Sequence, residues 1–353
     1  MIVQRKFLIS LSLIATFSFS LNSMASSPES APSELLDVIV AAQALERKEP
    51  RYPTSAAKNG LEGWAIVSFV VDKEGNVIDP IIEDSSGSKH FERSTLNAVE
   101  DWKYKPATYN GETIEQCKTR VRMDFRLQGK GGVTRPFLSR YRKTLQAVEE
   151  NDLALAESLL QELDDRKTQT WDENGYFWIA KSYYHEALGQ DQKTIDALTK
   201  VFTHGQGGIS TPVYLSTMQR LFVANIENNK LAEAALVYGH INEIAPDHAV
   251  VQALAPYNQQ VVDFIESQNA IQVSAKIEDK GYWSHRLARK QFDILVPEGQ
   301  IDKVEIRCDN KRATYNSVEE HHFTIPDSWG HCRVYANGAT GTEFTLIEKA
   351  HSS

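Results

Sequence analysis

"CKTRVRMDFRL", residues 117–127, alternates without a break. Val121, Met123, Phe125 and Leu127 fall on one side, and Arg120, Arg122, Asp124 and Arg126 on the other. Successive side chains of a strand point to opposite faces, so the pattern predicts an antiparallel strand with one apolar face. The arginine face has two readings. It is a solvated face whose charges guard an edge strand against aggregation, or it belongs to a docking edge that holds an extended peptide by main-chain hydrogen bonds.

Upstream, Asn110-Gly111 reads as a tight turn. In "WKYKPA" before it, Trp102 and Tyr104 are expected to anchor a helix end in the core and Pro106 to stop that helix. The helix carries Phe91, Leu96, Val99 and Trp102 on its apolar side, with Ser86 or Ser88 as its cap. Before it, residues 64–71 and 77–83 are apolar and β-branched runs around Glu74-Gly75-Asn76, the pattern of a hairpin. The order β-β-α-β occupies about 80 residues, a usual size for a small domain, and "GKGG" at 129–132 ends it.

Outside this unit the periodicity changes twice. Residues 34–48 place Leu35, Leu36, Val38, Ile39, Ala42 and Leu45 at helical spacing and predict a helix. From Phe137 to about Ser267 the pattern is helical throughout. Ala156, Ile195 and Ala234 lie 39 residues apart, as do Leu159, Leu198 and Val237, and Leu163, Phe202 and Ile241. A fixed period of this kind predicts stacked helical hairpins, each burying its neighbour's apolar face. From Ile271 onward, short strand-like runs separated by Gly, Pro and Asn predict a small all-β unit, a sandwich.

Cys308 and Cys332 fall on two of these runs, and a bridge between them would close a loop worth about 3 kcal/mol. Cys117 is the odd thiol. Arg5 and Lys6, the apolar run Phe7–Leu21 and Ser23-Met24-Ala25 have the layout of an export signal cleaved after Ala25. The alternative is a retained inner-membrane anchor, although the run is shorter than a spanning helix and contains four serines. Residues 26–33 are a polar Ser/Pro linker.

A net charge of −9 argues against nucleic acid as a partner. Catalytic signatures are weak. "HEALG" at 185–189 lacks the second histidine of a zinc-protease helix. "SAAK" at 55–58 has no companion motif. His321, His322 and His331 near the two cysteines fit no zinc spacing. No enzyme, metal, cofactor or small-molecule substrate is expected.

Tyr52-Pro53, Ala57, Gly60, Gly63, Asp72, Gly75, Ser85-Ser86-Gly87, Trp102-Lys103-Tyr104, Pro106-Ala107 and Asn110-Gly111 follow one another in the first unit. In these elements and their order the unit resembles the C-terminal domain of TonB-family proteins. The resemblance implies strand addition of a short extended segment, the TonB box of outer-membrane receptors, during uptake of siderophores and vitamins. It places the partner-facing residues at Arg51, Tyr52 and Pro53 and at Thr119, Arg120, Val121, Arg122, Met123, Asp124 and Phe125. The helical repeats resemble tetratricopeptide-type repeats loosely, without the Trp-Leu-Gly-Tyr signature.

The expected architecture is multidomain α+β. It comprises a signal peptide (1–25), a linker and helix (26–47), a TonB-like ββαβ domain (48–130), a helical hairpin array (137–268) and a β-sandwich-like domain (271–350). The expected role is that of a non-enzymatic periplasmic interaction protein. The alternative is a membrane-anchored energy transducer.

Overall fold

The segment before the first domain pairs as strand where its apolar spacing suggests helix. The computed structural model describes residues 39–350 except 129–130, 167–168, 279–280, 298–299, 310 and 319. Within that range, β1 (Ile39–Val40) and β2 (Gln43–Glu46) are extended and pair antiparallel with Thr108–Tyr109 and Lys103–Lys105 respectively. Of that stripe Ala42 packs on the core and Leu45 is 71% exposed, while residues 34–38 lie outside the described residues. Open backbone groups nearby satisfy the chain instead, which overrides a weak propensity. The signal peptide, its cleavage site after Ala25 and the linker lie outside the described residues.

The chain then forms α1 (Thr54–Lys58), β3 (Gly63–Val71), β4 (Val77–Ser85), α2 (Lys89–Val99), β5 (Lys103–Lys105), β6 (Ala107–Tyr109), β7 (Glu112–Ile114) and β8 (Gln116–Phe125). β4, β3 and β8 make one antiparallel sheet in that order. Every residue of β3 is buried, because both faces of the sheet are covered. On one face Phe91 stacks on Phe125 with ring centroids 4.4 Å apart, and Phe69 meets Trp102 edge-on at 5.8 Å. Each such ring contributes about 1.5–3 kcal/mol of burial.

Trp102 and Tyr104 are buried, as expected, and the Trp102 indole donates to Lys48 O at 2.8 Å. Pro106 does not end the helix. α2 stops at Val99, Tyr104 lies on β5, and Pro106 separates β5 from β6. Ser88 occupies the N-cap position of α2 without a capping hydrogen bond, and Ser86 Oγ accepts from Trp64 N at 3.1 Å. Asn110 (φ 50°) and Gly111 (φ 87°) turn β6 into β7. Positive φ at both central residues is the geometry that favours Asn-Gly.

The hairpin turn explains the spacing Asp72-x-x-Gly75. Asp72 Oδ1 accepts from the backbone N–H of Glu74 (3.0 Å) and Asn76 (2.7 Å). Gly75 sits at φ +86°, and a Cβ there would lie 1.9 Å from Tyr104 O. That carbonyl is close because Tyr104 N donates to Gly75 O at 2.8 Å, tying the turn to β5.

Seven helices follow: α3 (Arg135–Glu149), α4 (Leu153–Asp164), α5 (Trp171–Ala187), α6 (Asp191–His204), α7 (Thr211–Glu227), α8 (Leu231–Ile244) and α9 (Ala249–Glu266). Each packs on the next along the chain. The 39-residue columns fall on α4, α6 and α8, and eight of their nine residues are buried, Phe202 being half-buried. Asn151, Gly189 and Asn229 all take positive φ in the turns before these helices.

The remaining strands are β9 (Ile271–Lys276), β10 (Tyr282–Arg286), β11 (Gln291–Leu295), β12 (Ile301–Cys308), β13 (Arg312–Val318), β14 (Glu320–Thr324), β15 (Cys332–Asn337) and β16 (Glu343–Lys349). They form two four-stranded antiparallel sheets, β10-β15-β12-β13 and β14-β11-β16-β9. The architecture is therefore mixed α+β with an all-β C-terminal region. Cys308 and Cys332 are directly opposite on β12 and β15 and form a disulfide.

Arg289 joins this unit to the helices. It is 7% exposed, and its guanidinium donates to the carbonyls of Phe264 (2.8 Å), Ile265 (2.9 Å), Ser267 (3.1 Å) and Asn269 (2.6 Å) at the end of α9. A helix C-terminus and the turn after it leave carbonyls short of donors, and a cation suits them.

Candidate functional site

The main chain of β3 fixes which way β8 faces. Trp64 N–H and C=O bond to Ser86 on the β4 side. Alternate residues of a strand turn their backbone groups to opposite sides, so Gly63, Ala65 and Val67 turn theirs to β8. Their partners there are Phe125, Met123 and Val121. Arg122 and Asp124 therefore aim N–H and C=O away from the sheet, and Arg120 continues the series. Leu127 N, of the inward set, donates to Glu62 Oε1 at 2.7 Å, in agreement. Among the described residues no strand pairs with this outer side of β8.

The other flank of the sheet is closed. Asp79 on β4 has φ 48°, and Pro80 beside it has no N–H to offer. Tyr282 OH donates to Ile82 O at 3.2 Å, and the Arg307 guanidinium donates to Asp79 O at 3.5 Å.

Arg120, Arg122, Asp124 and Arg126 are exposed on the outer face of β8, and the arginines also contact the rest of the chain. Trp64, Ile66 and Trp171 form a buried cluster under that face. The Arg122 guanidinium lies 5.5 Å from the Trp64 ring and 5.2 Å from the Trp171 ring, and Arg126 lies 3.8 Å from Trp171. Arg122 also donates to the carbonyls of Thr203 and His204 at the end of α6. Arg120 pairs with Glu83 at 2.6 Å. Such cation–ring contacts contribute about 0.5–2 kcal/mol each. The arginines thus make internal contacts while staying partly exposed, and among the described residues no strand occupies the lateral edge.

The structure brings the two predicted site segments together at one end of β8. The Tyr52 ring meets Phe125 at 5.8 Å and Phe91 at 5.9 Å, both edge-on. Its hydroxyl donates to Leu61 O at 2.5 Å. Burial, aided by the Glu62 carboxylate, pushes its pKa up to about 12. Pro53 is the N-cap of α1, and Arg51 is exposed with its carbonyl accepting from Ser94 Oγ at 2.5 Å. Met123 and Phe125 are core residues, so their side chains are not partner-facing, which narrows the candidate site. Val121 is half-buried. Thr119 pairs with Phe69, so its backbone belongs to the inner ladder.

Sequence reasoning missed the residues that seat this sheet on the rest of the chain. Glu62 accepts from Trp171 N at 2.8 Å, Lys200 reaches Asp84 at 2.5 Å, and Tyr335 OH donates to Glu83 at 2.6 Å. These pairs are 109, 116 and 252 residues apart. Strict burial on both sides of "GWAIVSFVV" was the available signal, since an exposed-face strand would alternate. His185 of "HEALG" is partnered by Gln190 at 2.9 Å, and Ser55 lies on α1. His331 and His322 pair with Asp309 and Asp293.

Residues 48–127 match the family model of the Gram-negative bacterial TonB protein C-terminal domain. The chain is similar to Protein TonB of Vibrio cholerae, 32% identical over 81 residues, 23% of this chain and 33% of that protein. Protein TonB of Xanthomonas campestris is 33% identical over 78 residues, 22% of this chain and 34% of the relative. Protein TonB of Pseudomonas putida is 38% identical over 72 residues, covering 19% and 30%. The chain thus spans about a third of the length of these relatives.

Two solved structures are also similar. The solution structure of the Pseudomonas aeruginosa TonB C-terminal domain is 24% identical and covers 25% of this chain and 89% of that one, with a TM-score of 0.23. The Vibrio anguillarum TonB2 protein is 29% identical and covers 32% of this chain and all of that one, with a TM-score of 0.22.

Proposed function

We propose that this chain is an exported, non-enzymatic interaction protein of the periplasm that docks one extended polypeptide along the outer edge of β8. The observation that carries the reading is the row of outward backbone groups at Arg120, Arg122 and Asp124, on an edge that no described strand occupies. Strand addition takes its affinity from such main-chain bonds. The family match over residues 48–127 supports the TonB box of outer-membrane receptors as the segment, and hence a link to TonB-dependent transport. The exposed Arg51 and the Tyr52 ring flank the Phe125 end of the edge, where a docked segment would leave it.

Proline substitution separates docking from folding. Asp124→Pro removes one outward N–H and leaves the β3–β8 ladder its donors. Full-length protein is titrated with a synthetic TonB-box peptide by fluorescence anisotropy. Asp124→Pro is expected to weaken capture at least tenfold, and Asp124→Ala less than threefold. Equal capture by Asp124→Pro and wild type, with an unchanged circular dichroism spectrum, would refute strand addition. Val121→Pro is unsuitable, because Val121 donates inward.

The apolar run Phe7–Leu21 supports the second reading, an inner-membrane transducer. No helix among the described residues is long and apolar enough to cross a membrane. The mass of the mature N-terminus decides: Ser26 as the first residue eliminates the anchor, and an intact Met1 eliminates the cleaved form.

A further inference from the structure

A cavity of about 190 Å³ lies where the TonB-like sheet, the helical array and the β-sandwich meet. A water's share of liquid volume is about 30 Å³, so it has room for roughly six waters or one small metabolite. Two pairs in its wall satisfy each other: Arg120 with Glu83 at 2.6 Å, and Lys200 with Asp84 at 2.5 Å. Lys276, also in the wall, pairs with Glu343 at 2.8 Å, whereas Lys230 and Arg333 are less completely met. Lys230 is 7% exposed, and its ammonium, which can donate three hydrogen bonds, donates to the neutral Gln192 Oε1 at 2.8 Å. Arg333 approaches its carboxylate, Glu233, at 3.9 Å, beyond hydrogen-bond reach, and Ser284 Oγ at 3.4 Å.

Glu233 and Asp84 line the same cavity. Glu233 Oε1 takes the Arg286 N–H at 3.0 Å, while Glu233 Oε2 is buried without a partner. Asp84 Oδ2 is likewise buried and unpartnered. Buried polar groups left unpaired cost about 1–3 kcal/mol each, more when charged, so a native structure fills such a site. A simple anion would meet Lys230 and Arg333 but lie beside Glu233. A simple cation would face the reverse conflict. A molecule with both signs a few bonds apart meets both requirements at once.

We propose that this junction cavity binds a small zwitterion of the α-amino acid class, its carboxylate on Lys230 and Arg333 and its ammonium on Glu233 and Asp84. The inference is independent of docking at β8. Trp283 lines the same cavity and gives an optical signal.

The full chain is titrated by calorimetry and tryptophan fluorescence with glycine, L-alanine and L-serine. Propionate and ethylamine, which carry the two halves of alanine separately, are the controls. At least one amino acid is expected to saturate at a single site, with neither control binding. Lys230→Met and the isosteric Glu233→Gln are each expected to weaken it at least tenfold while remaining folded by circular dichroism. Propionate binding as tightly as alanine would overturn the proposal in favour of an anion site. Absence of saturation by all three amino acids would overturn it in favour of a water-filled joint.

Discussion

Single residues hold the first domain's turns and seams in place. Gly75 is the sharpest case, since its positive φ and its approach to Tyr104 O both exclude a side chain. Gly75→Ala is expected to destabilise the protein by about 2–3 kcal/mol, read as a lower urea midpoint with an unchanged slope. Glu83 is set between Arg120 and Tyr335. Burial acts to raise its pKa, but the charges of Arg120 and Arg333 with the two hydrogen bonds outweigh it and hold the carboxyl below its ordinary 4.5. Its stabilising contribution is therefore complete above that value and is lost as pH falls through the lower folded-state value. Acid titration monitored by tryptophan fluorescence is expected to show an unfolding step below pH 4.5. Glu83→Gln should flatten that step and lower stability at neutral pH.

At the scale of elements, local patterns were legible and pairings across the chain were not. The hairpin at Glu74-Gly75-Asn76, the alternation of β8, the Asn110-Gly111 turn and the 39-residue helical period each follow from backbone sterics and periodicity within a short window. β1 and β2 carry helical spacing yet pair as strands, because spacing cannot reveal that Thr108–Tyr109 and Lys103–Lys105 are left open for them. Of the candidate site, the strand was legible and its usable side was not. Alternation sorts side chains between faces, whereas a docking edge depends on the backbone parity set by Trp64 and Ser86. The joint between α9 and the sandwich was equally hidden, because one side chain makes it. Arg289→Met should cost about 3 kcal/mol by removing the guanidinium donor from the carbonyls of Ile265, Ser267 and Asn269. Hydrogen exchange is expected to show faster loss of protection in the last turn of α9, with the TonB-like sheet unchanged.

At the scale of the whole molecule, the described residues form a single contact unit. Both faces and one flank of the TonB-like sheet are taken up by the rest of the chain. Ser68 receives the Arg307 guanidinium at 3.2 Å, and Asp79 pairs with Arg312 at 2.5 Å. The plugged flank at Pro80 carries a further consequence. Under the proposed strand addition, a sheet that can lengthen in only one direction would take one guest per chain. Two copies could at most close on each other as a two-fold pair, β8 against β8, and a third would find no vacancy. Runaway polymerisation through this sheet is thereby blocked by geometry, without any need for repulsive charge.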